Sequence, residues 1–281
     1  MFFYSKDATG HSTGSQTLWI PYAAVGVVVV ILAVVFYFSD MPDIKTEDDY
    51  HLDDSTPGIS HSIWSHPHFV MAVAAQFFYV AAQSGIFSFF INYMTSQVPA
   101  IPEGWNSGML LGWFEKNPAG LLGLTDKGAA NLASLGFVCF LLGRFTGAGI
   151  LKKYAAHKVL GLYALINVVL CGLTFCKLGW LSVGCVFLSY FFMSIMFPTI
   201  FALGIFGLGA RAKKASAFIV MAIMGGAILP KAMGYVADKT DMSRGFIVPL
   251  LCFAFVAFYG LNWSRFSKVE SLNGEIATIG H

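Results

Sequence analysis

Seven stretches of this chain, 18–38, 68–94, 129–150, 159–178, 180–206, 215–236 and 246–264, run apolar for about 20 residues each and contain no Asp or Glu. A helix of that length crosses the hydrocarbon core of a bilayer and satisfies its own backbone there. The runs are continuous rather than alternating, which excludes a membrane β-barrel. Composition agrees: 57% of residues are hydrophobic and 11% charged, where a soluble domain carries roughly a quarter charged. A soluble globular enzyme, a disordered chain and a disulfide scaffold are excluded, leaving an all-α polytopic membrane protein with the bilayer as its solvent. The net charge of +2 gives no reason to expect a nucleic-acid partner. None of the runs has the short core and small-residue cleavage site of a signal peptide.

The Lys and Arg residues set the expected orientation. With the N-terminus outside, the cytoplasmic side holds Lys45, Arg144, Lys152, Lys153, Lys158, Arg211, Lys213, Lys214, Arg265 and Lys268. The outer side holds Lys6, Lys116, Lys127, Lys177, Lys231, Lys239 and Arg244. Both dense clusters, 144–158 and 211–214, then fall on the cytoplasmic side. Residues 40–66 form a long connection with seven acids and one Lys. The expected organisation is an outer tail and first span (1–39), an acidic cytoplasmic linker (40–67), a six-helix bundle (68–264) and a cytoplasmic tail (265–281).

No carboxylate lies inside a span, so the chain alone offers no obvious group for proton coupling. Paired intramembrane aspartates, a Ser–His pair and an HExxH motif are all lacking, and no cofactor or metal is expected. His66 and His68 flank Pro67 and read as a solvated entrance to the second span rather than as metal ligands. The five cysteines (Cys139, Cys171, Cys176, Cys185, Cys252) lie in apolar stretches and read as buried small hydrophobes. The polar groups within the spans are amides and hydroxyls. Gln76, Tyr79 and Gln83 are spaced by three and four and share a helix face, with Ser84 and Ser88 nearby and Asn92 closing the span. Amides present paired donors and acceptors to ring hydroxyls, and aromatic rings cover the apolar face of a pyranose. The same amides also suit hydrogen bonding between helices. The Gln–Tyr–Gln stripe in so aromatic a helix favours a neutral sugar, with Asn131, Asn167 and Ser134 as weaker candidates. Pro198 and Pro230 free backbone carbonyls and kink helices. The segment 143–160 places Gly143, Arg144 and Gly147 at a cytoplasmic helix end. There an Arg pairs with C-terminal carbonyls and latches one conformation, or serves as ordinary positive-inside anchoring.

Several runs carry a likeness to a known family: AQFFYVAAQSGIFSFFINY (75–93), NLASLGFVCFLLGRFTG (131–147), HKVLGLYALINVVLC (157–171), FPTIFALGIFGLG (197–209), SAFIVMAIMGGAILP (216–230) and MGYVADKT (233–240). In this order they resemble the L-fucose–proton symporter family of the major facilitator superfamily. The resemblance implies two six-helix bundles with the sugar between them. The first span, WIPYAAVGVVVVILAVVFYFSDMPDI (19–44), is similar to the sixth helix of such transporters. The chain therefore matches that helix, the central linker and the C-terminal bundle, with the first five helices missing. The coupling carboxylates lie in that other bundle, which agrees with their absence here. The resemblance also implies alternating access. Gln76, Tyr79, Gln83, Asn92 and Asn131 would line the C-terminal side of a sugar site, and Gly143, Arg144 and Gly147 would form a cytoplasmic gate. The expected partners are L-fucose, with galactose or glucose as alternatives, a proton, the lipid bilayer and a separate N-terminal bundle. The expected place is the cytoplasmic (inner) membrane. Glucose and galactose carriers tend to have an acid where Gln83 stands, which favours fucose.

Two other readings start from the same residues. Seven spans with an outer N-terminus fit a receptor or retinal protein, but the last span has no Lys for a Schiff base. A non-transporting fragment is the third, and its amides would then face lipid at a cost unless a partner covers them.

Overall fold

The computed structural model describes residues 19–39, 63–105, 112–116, 120–208 and 211–267, apart from the side chains of 21, 36 and 103. The outer tail, most of the acidic linker and the end of the cytoplasmic tail lie outside the described residues. The chain divides into two compact units, 1–50 and 51–281. The described part of the first is helix α1 (Trp19–Phe38). Its apolar stretch, Tyr22–Val35, is shorter than those of the second unit.

The second unit holds six helical segments long and apolar enough to cross a membrane. Helix α2 (Pro67–Gln97) begins with proline, whose fixed φ suits a first helical position. The chain then turns through a short antiparallel hairpin, β1 (Phe114–Lys116) and β2 (Leu122–Leu124). This is the one departure from an all-helical reading among the described residues. Helix α3 (Asp126–Leu151) starts where the Thr125 hydroxyl accepts from Gly128 N–H at 3.0 Å. Helix α4 (Ala156–Phe175) follows a four-residue basic turn.

The next two spans, expected as single helices over 180–206 and 215–236, are each broken. The first consists of α5 (Trp180–Met193) and α6 (Met196–Ile205). The second consists of α7 (Ala212–Met221), a 3₁₀ turn over Ala222–Met224, and α8 (Gly225–Lys239). A short α9 (Met242–Gly245) leads into α10 (Ile247–Phe266).

Helix α2 is the hub, packed against α3, α6, α8 and α10. Small residues set the spacing of two seams. Gly161 of α4 lies against Gly260 of α10, and a Cβ on Gly260 would come within 2.6 Å of the Gly161 nitrogen. Gly225 of α8 lies on the Phe77 carbonyl of α2, where any side chain would collide with backbone. Aromatic rings fill the space between α2, α3 and α5: Phe87 and Phe90 stand 4.7 Å and 5.6 Å from Tyr190. One end of the bundle carries the basic turn 152–155 with the basic starts of α4 and α7, and the opposite end carries the hairpin. These are called the basic side and the hairpin side below.

Candidate functional site

The polar stripe of α2 turns out to have an inner and an outer part. Gln76 and Tyr79 are fully buried, and Gln83 is half-buried. The Tyr79 hydroxyl donates to the Met193 carbonyl at 2.8 Å. Gln76 has no such partner: both its Nε2 and its Oε1 are buried without a hydrogen bond. Asn92 is exposed. It follows Gln76 by sixteen residues, roughly 160° around a helix of 3.6 residues per turn, so it leaves by another side. Asn131 is half-buried on α3, and Ser134 is exposed with its hydroxyl on the Ala130 carbonyl. The Asn167 amide on α4 shares the condition of Gln76, buried with neither its nitrogen nor its oxygen paired.

The second constellation surrounds the break between α5 and α6. Pro198 has no N–H to return to the carbonyl of Ser194, four residues back. That carbonyl instead accepts from Arg144 Nε of α3 at 3.3 Å. The preceding carbonyl, of Met193, is the one held by Tyr79. Two neighbouring helices thus satisfy the backbone that the break exposes. The Arg144 guanidinium also stands over the Phe140 ring, 5.2 Å from its centroid. Gly143 packs on the Phe191 carbonyl and the Ser194 side chain, and Gly147 packs on Ile195. The three residues expected at a gate therefore all touch one joint. The sequence signal for the joint was Pro198; its partners Ser194 and Tyr79 become evident only when α2, α3 and α5 are packed.

Each end of the bundle is tied. On the basic side, His68 Nε2 lies 3.1 Å from the Phe206 carbonyl. There Trp263 Nε1 donates to the Leu203 carbonyl at 3.3 Å, and the His157 ring stacks on Trp263. On the hairpin side, Lys177 Nζ pairs with Asp241 at 2.8 Å. Asp241 also accepts from Arg244 N–H and so caps α9. Burial pushes the Asp241 carboxyl up, but the hydrogen bonds from Lys177 and from the Arg244 and Ser243 backbone outweigh it and hold the group below the usual carboxylate range. Lys177 sits in the left-handed region (φ 56), which turns α4 sharply toward α5. Cys171, Cys185 and Cys252 are buried as expected, whereas Cys176 is exposed because it ends α4 at the hairpin side. Among the described residues, no three His, Cys, Asp or Glu side chains gather as metal ligands do.

No protein-family profile matches the chain. It is 33% identical over 257 residues to the L-fucose–proton symporter of Escherichia coli K12, which covers 90% of this chain and 52% of that protein. It is 30% identical over 261 residues to the glucose/galactose transporter of Brucella abortus, covering 93% of this chain and 57% of that one. A crystal structure of the major facilitator superfamily transporter FucP, in the outward conformation, superposes with a TM-score of 0.69 at 32% identity. That match covers 88% of this chain and 55% of the transporter. The chain spans about half the length of the curated relatives it matches.

Proposed function

We propose that this chain, a multi-pass membrane homologue of the C-terminal part of the L-fucose–proton symporters and glucose/galactose transporters, forms one side of a sugar transporter that works by alternating access. On this reading the basic side faces the cytoplasm, with the N-terminus outside and the C-terminus inside the cytoplasmic membrane. L-fucose is the first substrate, with galactose and glucose as the alternatives. A separate bundle supplies the other wall of the site and the carboxylate that carries the proton.

The observation that supports a sugar-facing role is the Gln76 amide. A buried donor and acceptor left unpaired cost about 1–3 kcal/mol, so a group kept in that state suits a ligand whose hydroxyls pair with it. Gln83, two turns along the same face, and Asn131 on α3 are the more accessible contacts. Tyr79, committed to the Met193 carbonyl, and Asn92, on another side of α2, stand outside the proposed lining. Gly143, Arg144 and Gly147 act as the gate by holding or releasing the α5–α6 joint. In the state described here, Arg144 occupies the Ser194 carbonyl; tilting α6 breaks that bond.

Equilibrium dialysis of radiolabelled L-fucose, D-galactose and D-glucose tests the proposal. The full chain is measured alone and co-expressed with the remaining portion of the Escherichia coli symporter. Saturable fucose binding that is stronger in the co-expressed sample, and lost on Gln83→Ala, is expected. Absence of saturable binding for all three sugars in both samples overturns it.

A further inference from the structure

Lys231 is a charge that neither the α2 stripe nor the α5–α6 joint uses. It lies on α8, eight residues before the helix ends at Lys239. The interrupted segment Ala212–Lys239 has 28 residues, about 42 Å at 1.5 Å per residue. Centred on a hydrocarbon core about 30 Å thick, it carries Lys231 about 6 Å inside that core. The opposite face of α8 is the one that meets α2: Gly225 lies on the Phe77 carbonyl, Gly226 on the Ser84 side chain and Met233 over Gly85. Lys231 stands about 160° from Met233 around the helix and is exposed. Among the described residues it has no hydrogen bond, ion pair or ring contact.

A lysine near a membrane surface ordinarily bends its ammonium out to the headgroups. Two features oppose that here. Side chains on a helix lean toward its N-terminus. The segment runs from the basic side to the hairpin side, so Lys231 leans inward, away from the nearer surface. One turn outward on the same face stands the exposed Tyr235, with the Lys239 ammonium 5.9 Å from its ring centroid. The way out is covered by a ring and a like charge. No carboxylate of the described chain serves instead. Asp238 is seven residues on, about 10 Å along the helix, and Asp241 is held by Lys177. A lysine within a span pairs with an anion or lines a water-filled cavity. The exposed neighbours of Lys231 are Met224, Ile228 and Tyr235. One ammonium between such apolar shoulders does not line a water path, and it lacks the several placed polar groups that grip a small ligand. It matches a carboxylate set in the apolar face of another helix.

We infer that in the assembled protein Lys231 pairs with a carboxylate on a helix of the separate bundle, packed along the Met224–Tyr235 face of α8. The inference rests on the proposal that a separate bundle completes the transporter, and it adds which face that bundle meets and through what charge. The full chain is co-expressed with the tagged remaining portion of the Escherichia coli symporter, and the two are purified together through the tag. Dicyclohexylcarbodiimide, which enters membranes and joins an amine to a carboxylate only where they touch, is then added, and linked peptides are mapped by mass spectrometry. An amide link from Lys231 to an Asp or Glu of the other portion is expected, severalfold above any link from Lys239. Lys231→Met abolishes the link and lowers recovery of the chain through the tag severalfold, while the unfolding temperature of the chain alone does not fall. Lys231→Glu lowers recovery likewise, and placing a Lys at the linked carboxylate restores it. A co-purified complex without a Lys231 link, a link to this chain or to a second copy of it, or a charge exchange that restores nothing overturns the inference. Failure of the wild-type chain to co-purify overturns instead the separate bundle on which it rests.

Discussion

At the scale of single residues, Gln76 and Tyr79 separate two kinds of buried polar group. Tyr79 has its partner, and Tyr79→Phe leaves the Met193 carbonyl without one. A loss of about 1–2 kcal/mol is expected, read as a lower unfolding temperature in detergent. Gln76 has no partner, and Gln76→Met removes an unpaired amide at nearly constant volume. The variant is expected to be more stable by about 1 kcal/mol and to lose sugar binding. A fall in stability with binding intact would assign Gln76 a structural role. The spacing of three and four placed these residues on one face correctly, because helix geometry alone sets that. Which of them would be satisfied was not legible. That depends on where a neighbouring helix breaks, and the break sits more than a hundred residues along the chain.

At the scale of elements, the six spans of the bundle and most of their boundaries were legible because each run needs only length and apolarity. The interruptions were legible only in part. Pro198 announced a kink, but the break falls four residues earlier, at Ser194, whose carbonyl the proline cannot pair. The second interruption, at Ala222–Met224, precedes Pro230 by a full two turns. It coincides with the close approach of Gly225 to α2 rather than with the proline. Pro198→Ala restores an N–H that competes with Arg144 for Ser194. The expected result is a straighter α5–α6 segment, slower amide exchange around Ile195 and reduced transport in the assembled protein. Two glycines of α3 make a control pair. Gly143→Ala forces a methyl group onto the Phe191 carbonyl and costs about 1–3 kcal/mol. Gly149→Ala meets open space and gains about 0.5–1 kcal/mol of helix preference. Thermal unfolding of both variants side by side checks the contrast.

At the scale of the whole molecule, the bundle is tied at its two ends by different chemistry. The basic side relies on rings and backbone carbonyls, and the hairpin side on the Lys177–Asp241 pair. Because folding lowers the Asp241 pKa, its contribution is present above the ordinary carboxylate range and is lost as pH falls through the lowered value. Unfolding temperature should therefore decline on the acid side, and the decline should flatten in Asp241→Asn. An unchanged acid slope in that variant would mean that other groups set it. The pair itself could not be read from sequence, since its members sit in separate turns sixty-four residues apart. Helices α3 and α7–α8 differ from the rest in how little of themselves they bury: 17% and 22% of their most apolar stretches, against 50% or more in the other four spans of the bundle. Such helices turn most of their surface outward, so whatever docks beside the bundle meets these two first, and through the Arg144 side chain on α3 it reaches the joint in the span next door.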